Sequence, residues 1–148
     1  MVTVTTQLCV SNMETIHMSG ITELAELLSS MEPQLLETEF VFCTVSGPLI
    51  DYVSLNPVAT FLEAEGLTLV LEKNKAENAG LQFEGSFCQI TLNVHSSLEA
   101  VGLTAAVSAK LSAQGISANV IAAYYHDHIF VQSAKAEMAL LALQEFSA

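Results

Sequence analysis

The chain has 148 residues, 51% of them hydrophobic, and carries sixteen acids against four basic residues for a formal charge of −12. That is ample material for the core of one domain, or of two small ones packed together, and far from a disordered composition. Lys73, Lys75, Lys110 and Lys135 are its only strong cations and arginine is absent, so nucleic acid and anionic membrane, which call for arginine forks and basic patches, are not expected as partners.

Residues 1–17 read as an N-terminal extension, either loosely ordered or adding an edge strand at Val2–Thr6. A helix is predicted over Ile21–Met31, with Leu24, Leu27 and Leu28 on one side and Pro33 ending it. Phe40–Val45 is nearly continuously apolar or β-branched, which predicts a covered central strand. Ser46-Gly47-Pro48 is a turn, and Ile50–Leu55 a short connector, partly extended. Asn56 as cap, Pro57 at the first position and Gly66 at the end predict a helix with a Val58, Phe61, Leu62 stripe. Leu67–Leu71 is a strand, Lys73–Asn78 a short helix stopped by Gly80, and Leu81–Gly85 the one linker-like stretch.

The remainder reads as β-α-β-β-α. Gln89–Val94 is a strand entering the polar turn His95-Ser96-Ser97. Ser96-Ser97-Leu98-Glu99 has the spacing of a capping box, which predicts a helix beginning there. Leu103, Val107 and Leu111 recur every four residues as its buried stripe. Gly102 then falls early in that helix, where glycine is unfavourable, and suggests close approach of another backbone or a ligand. Gly115 sits where a left-handed C-terminal residue is wanted, with Ile116 folding back. Two further strands flank a tight turn at Tyr124–His128, and Ala134–Phe146 closes the chain as a helix with Met138, Leu141 and Ala142 in the core.

Residues Ser96–Leu103, the helix to Ala113, Gly115-Ile116-Ser117 and Tyr125–Val131, in that order, resemble an ACT-type small-molecule-binding domain, closest to the ACT repeats of aspartokinase regulatory regions and of eukaryotic arginine sensors. Met18–Leu81 looks like the partner half of a small bacterial family of tandem ACT-type proteins. The resemblance implies an α+β fold of two ferredoxin-like βαββαβ halves, 18–82 and 83–148, with antiparallel strands and helices on one face. The first half departs from the ACT order, since its first strand must come from residues 1–17 or be missing.

ACT-type domains hold amino acids at the turn after the first strand, often between repeats. By resemblance, Ser96, Ser97, Leu98, Glu99, Val101, Gly102, Leu103 and Asp127 are the ligand-binding candidates. The chemistry agrees: free N–H groups at a helix start attract a carboxylate, and Asp127 or Glu99 would meet an ammonium or guanidinium. Ala122-Ala123 stands where related sensors have hydroxyls, which removes ligand hydrogen bonds. The plainer alternative is that these residues cap a helix, close a hairpin and bind nothing.

His126-x-His128 raises the question of a metal shared with His95, although no further ligand pair has the usual spacing. Tyr124-Tyr125 fits half-buried sheet surface as well as a ligand cover. Glu63 and Glu65, two apart on a helix, diverge. No nucleophile motif, phosphate loop or cofactor box is present, so no enzyme activity, cofactor or metal is expected. Cys9, Cys43 and Cys88 are odd in number, widely spaced and without C-x-x-C, which predicts reduced thiols and a cytoplasmic protein. No apolar run is long enough for a transmembrane helix, and no basic segment precedes an apolar one as in a signal peptide. The expectation is a non-catalytic amino-acid sensor that assembles as a homodimer or tetramer. The rivals are a homo-oligomeric interaction module with a basic protein partner and, further off, a metal-dependent hydrolase using the two histidines.

Overall fold

The computed structural model describes residues 23–148. The expected 1–17 extension and the first residues of the helix expected from Ile21 lie outside that range. A helix, α1 (Leu24–Ser30), leads into a long strand, β1 (Glu32–Val45). Two single-turn 3-10 helices (Leu49–Asp51 and Val53–Leu55) follow, then a hairpin of β2 (Ala59–Leu62) and β3 (Leu67–Glu72), and the short helix α2 (Lys73–Asn78). The second half runs β4 (Phe87–Asn93), α3 (Leu103–Ser112), a hairpin of β5 (Asn119–Ala122) and β6 (Asp127–Gln132), and α4 (Ala136–Gln144). The six strands make one antiparallel sheet in the order β2-β3-β1-β4-β6-β5.

The two halves repeat one pairing scheme. Phe40 faces Glu72 and Val45 faces Leu67 in the first; Phe87 faces Gln132 and Leu92 faces Asp127 in the second. The hairpins follow suit, with Ala59 opposite Val70 and Asn119 opposite Phe130. Because β1 also pairs with β4, each half borrows a fourth strand from the other, and both become ferredoxin-like within a single sheet.

Side chains alternate across this sheet with period two. On one face Ile90, Leu92, Ile129 and Val131 pack with Leu27, Leu103, Val107, Leu111, Ala139 and Leu143 from the helices, while Val41, Cys43, Leu67, Leu69 and Leu71 form a smaller cluster with Ala76 of α2. On the other face Phe40, Val70 and Phe130 are buried together, flanked by Phe42, Ala59, Phe87 and Ile121. No helix covers that second face among the described residues. It is buried because the sheet curls. Between the pairs Leu35–Ile90 and Glu39–Cys88, β1 places three residues opposite Gln89 alone. Such a bulge bends its strand and increases the local twist.

Several expectations give way here. The helix expected from Pro57 to Gly66 is the edge strand β2 and its turn, with Phe61 and Leu62 exposed. Gly66 is there because an added Cβ would sit 3.0 Å from the Val45 carbonyl oxygen. The first strand of the first half is β1 itself, and Pro33 lies within it rather than merely ending α1. In α4 the buried residues are Ala136, Ala139, Ala142 and Leu143, whereas Met138 and Leu141 are exposed.

Candidate functional site

The site expected from sequence lies where β4 ends. Val94 and Ser96 close a tight turn, with the Ser96 amide donating to the Val94 carbonyl at 3.0 Å. The predicted capping box does not form: Glu99 N–H donates to Ser97 Oγ at 3.2 Å, and helix α3 starts only at Leu103. A second turn, Ala100 N–H to the Ser97 carbonyl at 2.9 Å, absorbs the intervening residues. Gly102 is therefore the residue before the helix, not one inside it, with φ +101°. An added Cβ there would lie 3.1 Å from Leu24 Cδ2, so the close approach anticipated at this glycine comes from α1. The first helical bond runs from the Ala106 amide to the Gly102 carbonyl, which leaves the earlier amides of α3 without helical partners. At the far end Gly115, at φ +68°, and Ile116, whose amide reaches the Leu111 carbonyl at 3.0 Å, close α3 as anticipated.

Across this loop stands Asp127. As the first residue of β6 it pairs with Leu92 on one side and Ala122 on the other, and only 8% of its surface is exposed. Burial raises its carboxyl above the usual range, opposed by the charge of His128 and His126. A cavity of about 70 Å³ separates it from the loop, lined by Ser96, Ser97, Leu98, Ala100, Leu103, Thr104, Ala122 and Asp127. Five of the eight residues anticipated for ligand binding thus meet there: Ser96, Ser97, Leu98, Leu103 and Asp127. Glu99, Val101 and Gly102 do not line it; Val101 is 83% exposed. Ala100, Thr104 and Ala122 also line it, although the resemblance assigned none of them to ligand binding. In the adjoining turns, the rings of His95, Tyr124 and Tyr125 cluster in tilted and edge-on contacts at separations of 4.9 to 6.5 Å, and both tyrosines are largely exposed.

The paired histidines go separate ways. His126 Nδ1 lies 3.4 Å from the Val94 carbonyl, while His128 Nδ1 lies 3.0 Å from Thr91 Oγ1 and 3.1 Å from Gln89 Nε2. Among the described residues no group of three or more histidine, cysteine, aspartate or glutamate side chains is arranged to hold a metal ion. No helix among them is long and apolar enough to cross a membrane. A hollow of about 440 Å³ lies apart from this chemistry, between β1 and α2. Carboxylates dominate its lining, and its one cation, Lys73, is already 3.0 Å from Glu39.

A family model described as ACT domain matches residues 19–88, and a second ACT-domain model matches residues 86–145. A Vibrio cholerae protein of unknown function, described as a possible transport protein, is 62% identical over 88% of this chain and all of its own, with a TM-score of 0.80. An Agrobacterium tumefaciens protein is 16% identical, with a TM-score of 0.62 over 79% of this chain and 89% of its own. The ligand-free regulatory subunit of aspartate kinase from Thermus thermophilus shares the fold at 9% identity, with a TM-score of 0.60 over 80% of this chain and 97% of its own. No curated protein gives a significant match.

Proposed function

Because the chain belongs to the ACT-domain family, whose modules are typically regulatory, we propose that it is a non-catalytic sensor of an amino acid, bound between the Ser96–Thr104 loop and Asp127. The observation that carries this reading is Asp127 itself. A carboxylate buried in an apolar sheet is costly unless a cation meets it, and the facing loop and helix start supply N–H groups for an anion. A zwitterion satisfies both. Its carboxylate docks on the amides around Leu98–Leu103, and its ammonium or guanidinium meets Asp127.

Size adds a condition. At ~30 Å³ per water, the cavity of about 70 Å³ holds only a head group. The rest of the ligand must lie outward, over exposed Leu98, Val101, Tyr124 and Tyr125. A second copy of the chain closing over those residues completes the site, so ligand and assembly favour each other by mass action. Thermal-shift measurements with each of the twenty amino acids test this. One of them is expected to raise the melting temperature of the native chain, to shift its mass toward a dimer, and to do neither in Asp127→Asn. A flat response to all twenty at concentrations well above cellular ones rejects sensing.

The same exposed patch supports a second reading, a homo-oligomeric interaction module without a ligand, whose acidic surface selects a basic protein partner. A partner retained at low salt, lost at high salt and indifferent to amino acids distinguishes it.

A further inference from the structure

Asp127 and His128 are neighbours on β6 and face opposite sides of the sheet. Asp127 belongs to the helix-covered side. His128 belongs to the curled side, where a cavity of about 310 Å³ opens. Val58 and Ala59 at one edge and Ile121 of β5 at the other both line it, with Phe40 and Phe130 between them. Opposite edges of a six-stranded sheet share a cavity only because the bulge in β1 folds the sheet into a trough. The bulge also places Leu36 and its opposing residue Gln89 in the wall.

Polar groups converge at one point of this otherwise apolar wall. Gln89 spends both amide hydrogens inside the sheet, on Thr91 Oγ1 at 3.0 Å and on His128 Nδ1 at 3.1 Å. Thr91 is 8% exposed. With the amide donating, Nδ1 is the lone-pair nitrogen and Nε2 carries the proton. Burial lowers the proton affinity of His128, which keeps the ring neutral. Nδ1 is therefore fully engaged. Nε2 has no protein partner among the described residues, yet Gln132 Oε1 is the one side-chain atom among them that is both sealed and unpartnered. The Nε2–H is therefore not sealed in, and because His128 lines the cavity the ring can present there a single neutral donor, held in place by Gln89 and Thr91.

We propose that this trough is a second ligand site, taking an uncharged, largely apolar small molecule of about ten non-hydrogen atoms with one hydrogen-bond acceptor, which His128 Nε2–H engages. The size follows from about 310 Å³ at ~30 Å³ per water-sized group. Neutrality follows from the lining, which holds neither a carboxylate for a cation nor a cation for an anion, and the chain's net charge of −12 further opposes an anion. The site is separate from the amino-acid site and does not depend on it.

Acetophenone is the probe, followed by backbone-amide NMR of the full chain. It is expected to shift the signals of Ile121, His128 and Phe130 with a dissociation constant on the order of 1 mM. Ethylbenzene, one atom smaller and without the acceptor, binds about tenfold more weakly, and benzoate does not bind. Ala59→Trp, a filling substitution on an edge strand, abolishes the acetophenone shifts while the spectrum stays folded. His128→Phe keeps a planar ring at the wall, removes the donor and makes acetophenone and ethylbenzene equivalent. Absence of shifts at saturating acetophenone, shifts that survive Ala59→Trp, or equal binding of ethylbenzene to the native chain each overturns the proposal. So does a concentration-dependent dimer that Ala59→Trp breaks, which assigns this face to a second copy instead.

Discussion

The first and second halves of the molecule share strand order and register, yet they differ where the second sets Asp127 against the Ser96–Thr104 loop. Where the second half has the ten residues of α3, the first has two 3-10 turns. Where the second has Asp127 opposite Leu92, the first has Leu67 opposite Val45. On the other face, Phe42 occupies the place in β1 that Gln89 holds in β4, and Thr68 the place of His128. Apolar residues at these positions satisfy the sheet. The first half has them at Leu67 and Phe42, where the second has Asp127 and Gln89, while the place of His128 is polar in both. A scaffold built twice, with polar groups substituted in one copy, separates what folding requires from what it merely tolerates.

The most damaging test of this comparison concerns the shared strands. If each half borrows a strand from the other, the two must unfold together. Leu111→Ala, in the larger helical cluster, is expected to cost about 3 kcal/mol, because a fully buried leucine leaves a cavity that only partly collapses. Leu69→Ala, in the cluster of six buried residues around α2, is expected to cost about 2 kcal/mol, since the half-buried side chains of Tyr52, Leu55 and Phe83 can settle into the gap. In both variants, urea unfolding followed by NMR should show signals of β3 and β6 disappearing at one midpoint. Separate midpoints would mean that the halves are independent domains which happen to abut.

A smaller effect is expected at the entrance to α3, where the halves differ most. Gly102→Ala forces a side chain into a left-handed backbone and against Leu24, which costs about 1–2 kcal/mol. Gly85→Ala meets the same backbone preference at φ +67° with nothing within 4 Å, so it should cost less. Chemical denaturation of the two variants compares them directly. Equal losses would show that α1 does not constrain the loop.

Features set by local chemistry were legible in the sequence. The apolar run of Phe40–Val45, the Leu103, Val107, Leu111 stripe and the Gly115 stop each need only a few neighbouring residues, and each stands where the pattern puts it. The geometry of the candidate site was partly legible: Asp127 and the Ser96–Leu98 turn line one cavity. Long-range features misled. Pro57 and Gly66 flank a segment whose conformation is decided by ladder bonds to β3, so helix punctuation surrounds a strand. Ser96 and Glu99 have capping-box spacing, but Ser97 captures the Glu99 amide and two turns intervene before the helix. The trough was invisible, because it depends on a bulge that nothing in the composition of Leu35–Glu39 announces and on edges ~60 residues apart in the chain coming together through the curl of the sheet. Gln89 and Thr91 were in view only as the polar alternates of a strand.

The finest test exchanges the one residue that most sharply distinguishes the halves. Asp127→Leu gives the second half the residue of the first. It should stabilise the ligand-free protein by about 1 kcal/mol at neutral pH, because a partly desolvated carboxylate is replaced by a side chain the sheet already accommodates at Leu67. The gain must depend on pH in a definite direction. Asp127 has its carboxyl raised in the folded state. Its contribution to stability is therefore greatest below the ordinary carboxylate range and is lost as pH rises through the raised value. The advantage of Asp127→Leu should accordingly shrink on acidification. His128 acts near the same range with the opposite slope: its proton affinity is lowered by burial, so native stability is full above the ordinary histidine range and declines as pH falls through it. Since His128 is present in both proteins, the difference between them isolates Asp127, apart from the weak charge coupling between these neighbours. An amino acid bound in the native chain inverts the carboxyl term, because its cation holds Asp127 ionised and its affinity falls on acidification. Differential melting curves across this range, with and without the stabilising amino acid, would show native and variant chains crossing in rank when the ligand is added. If Asp127→Leu is the less stable at every pH without ligand, Asp127 serves the fold rather than a site.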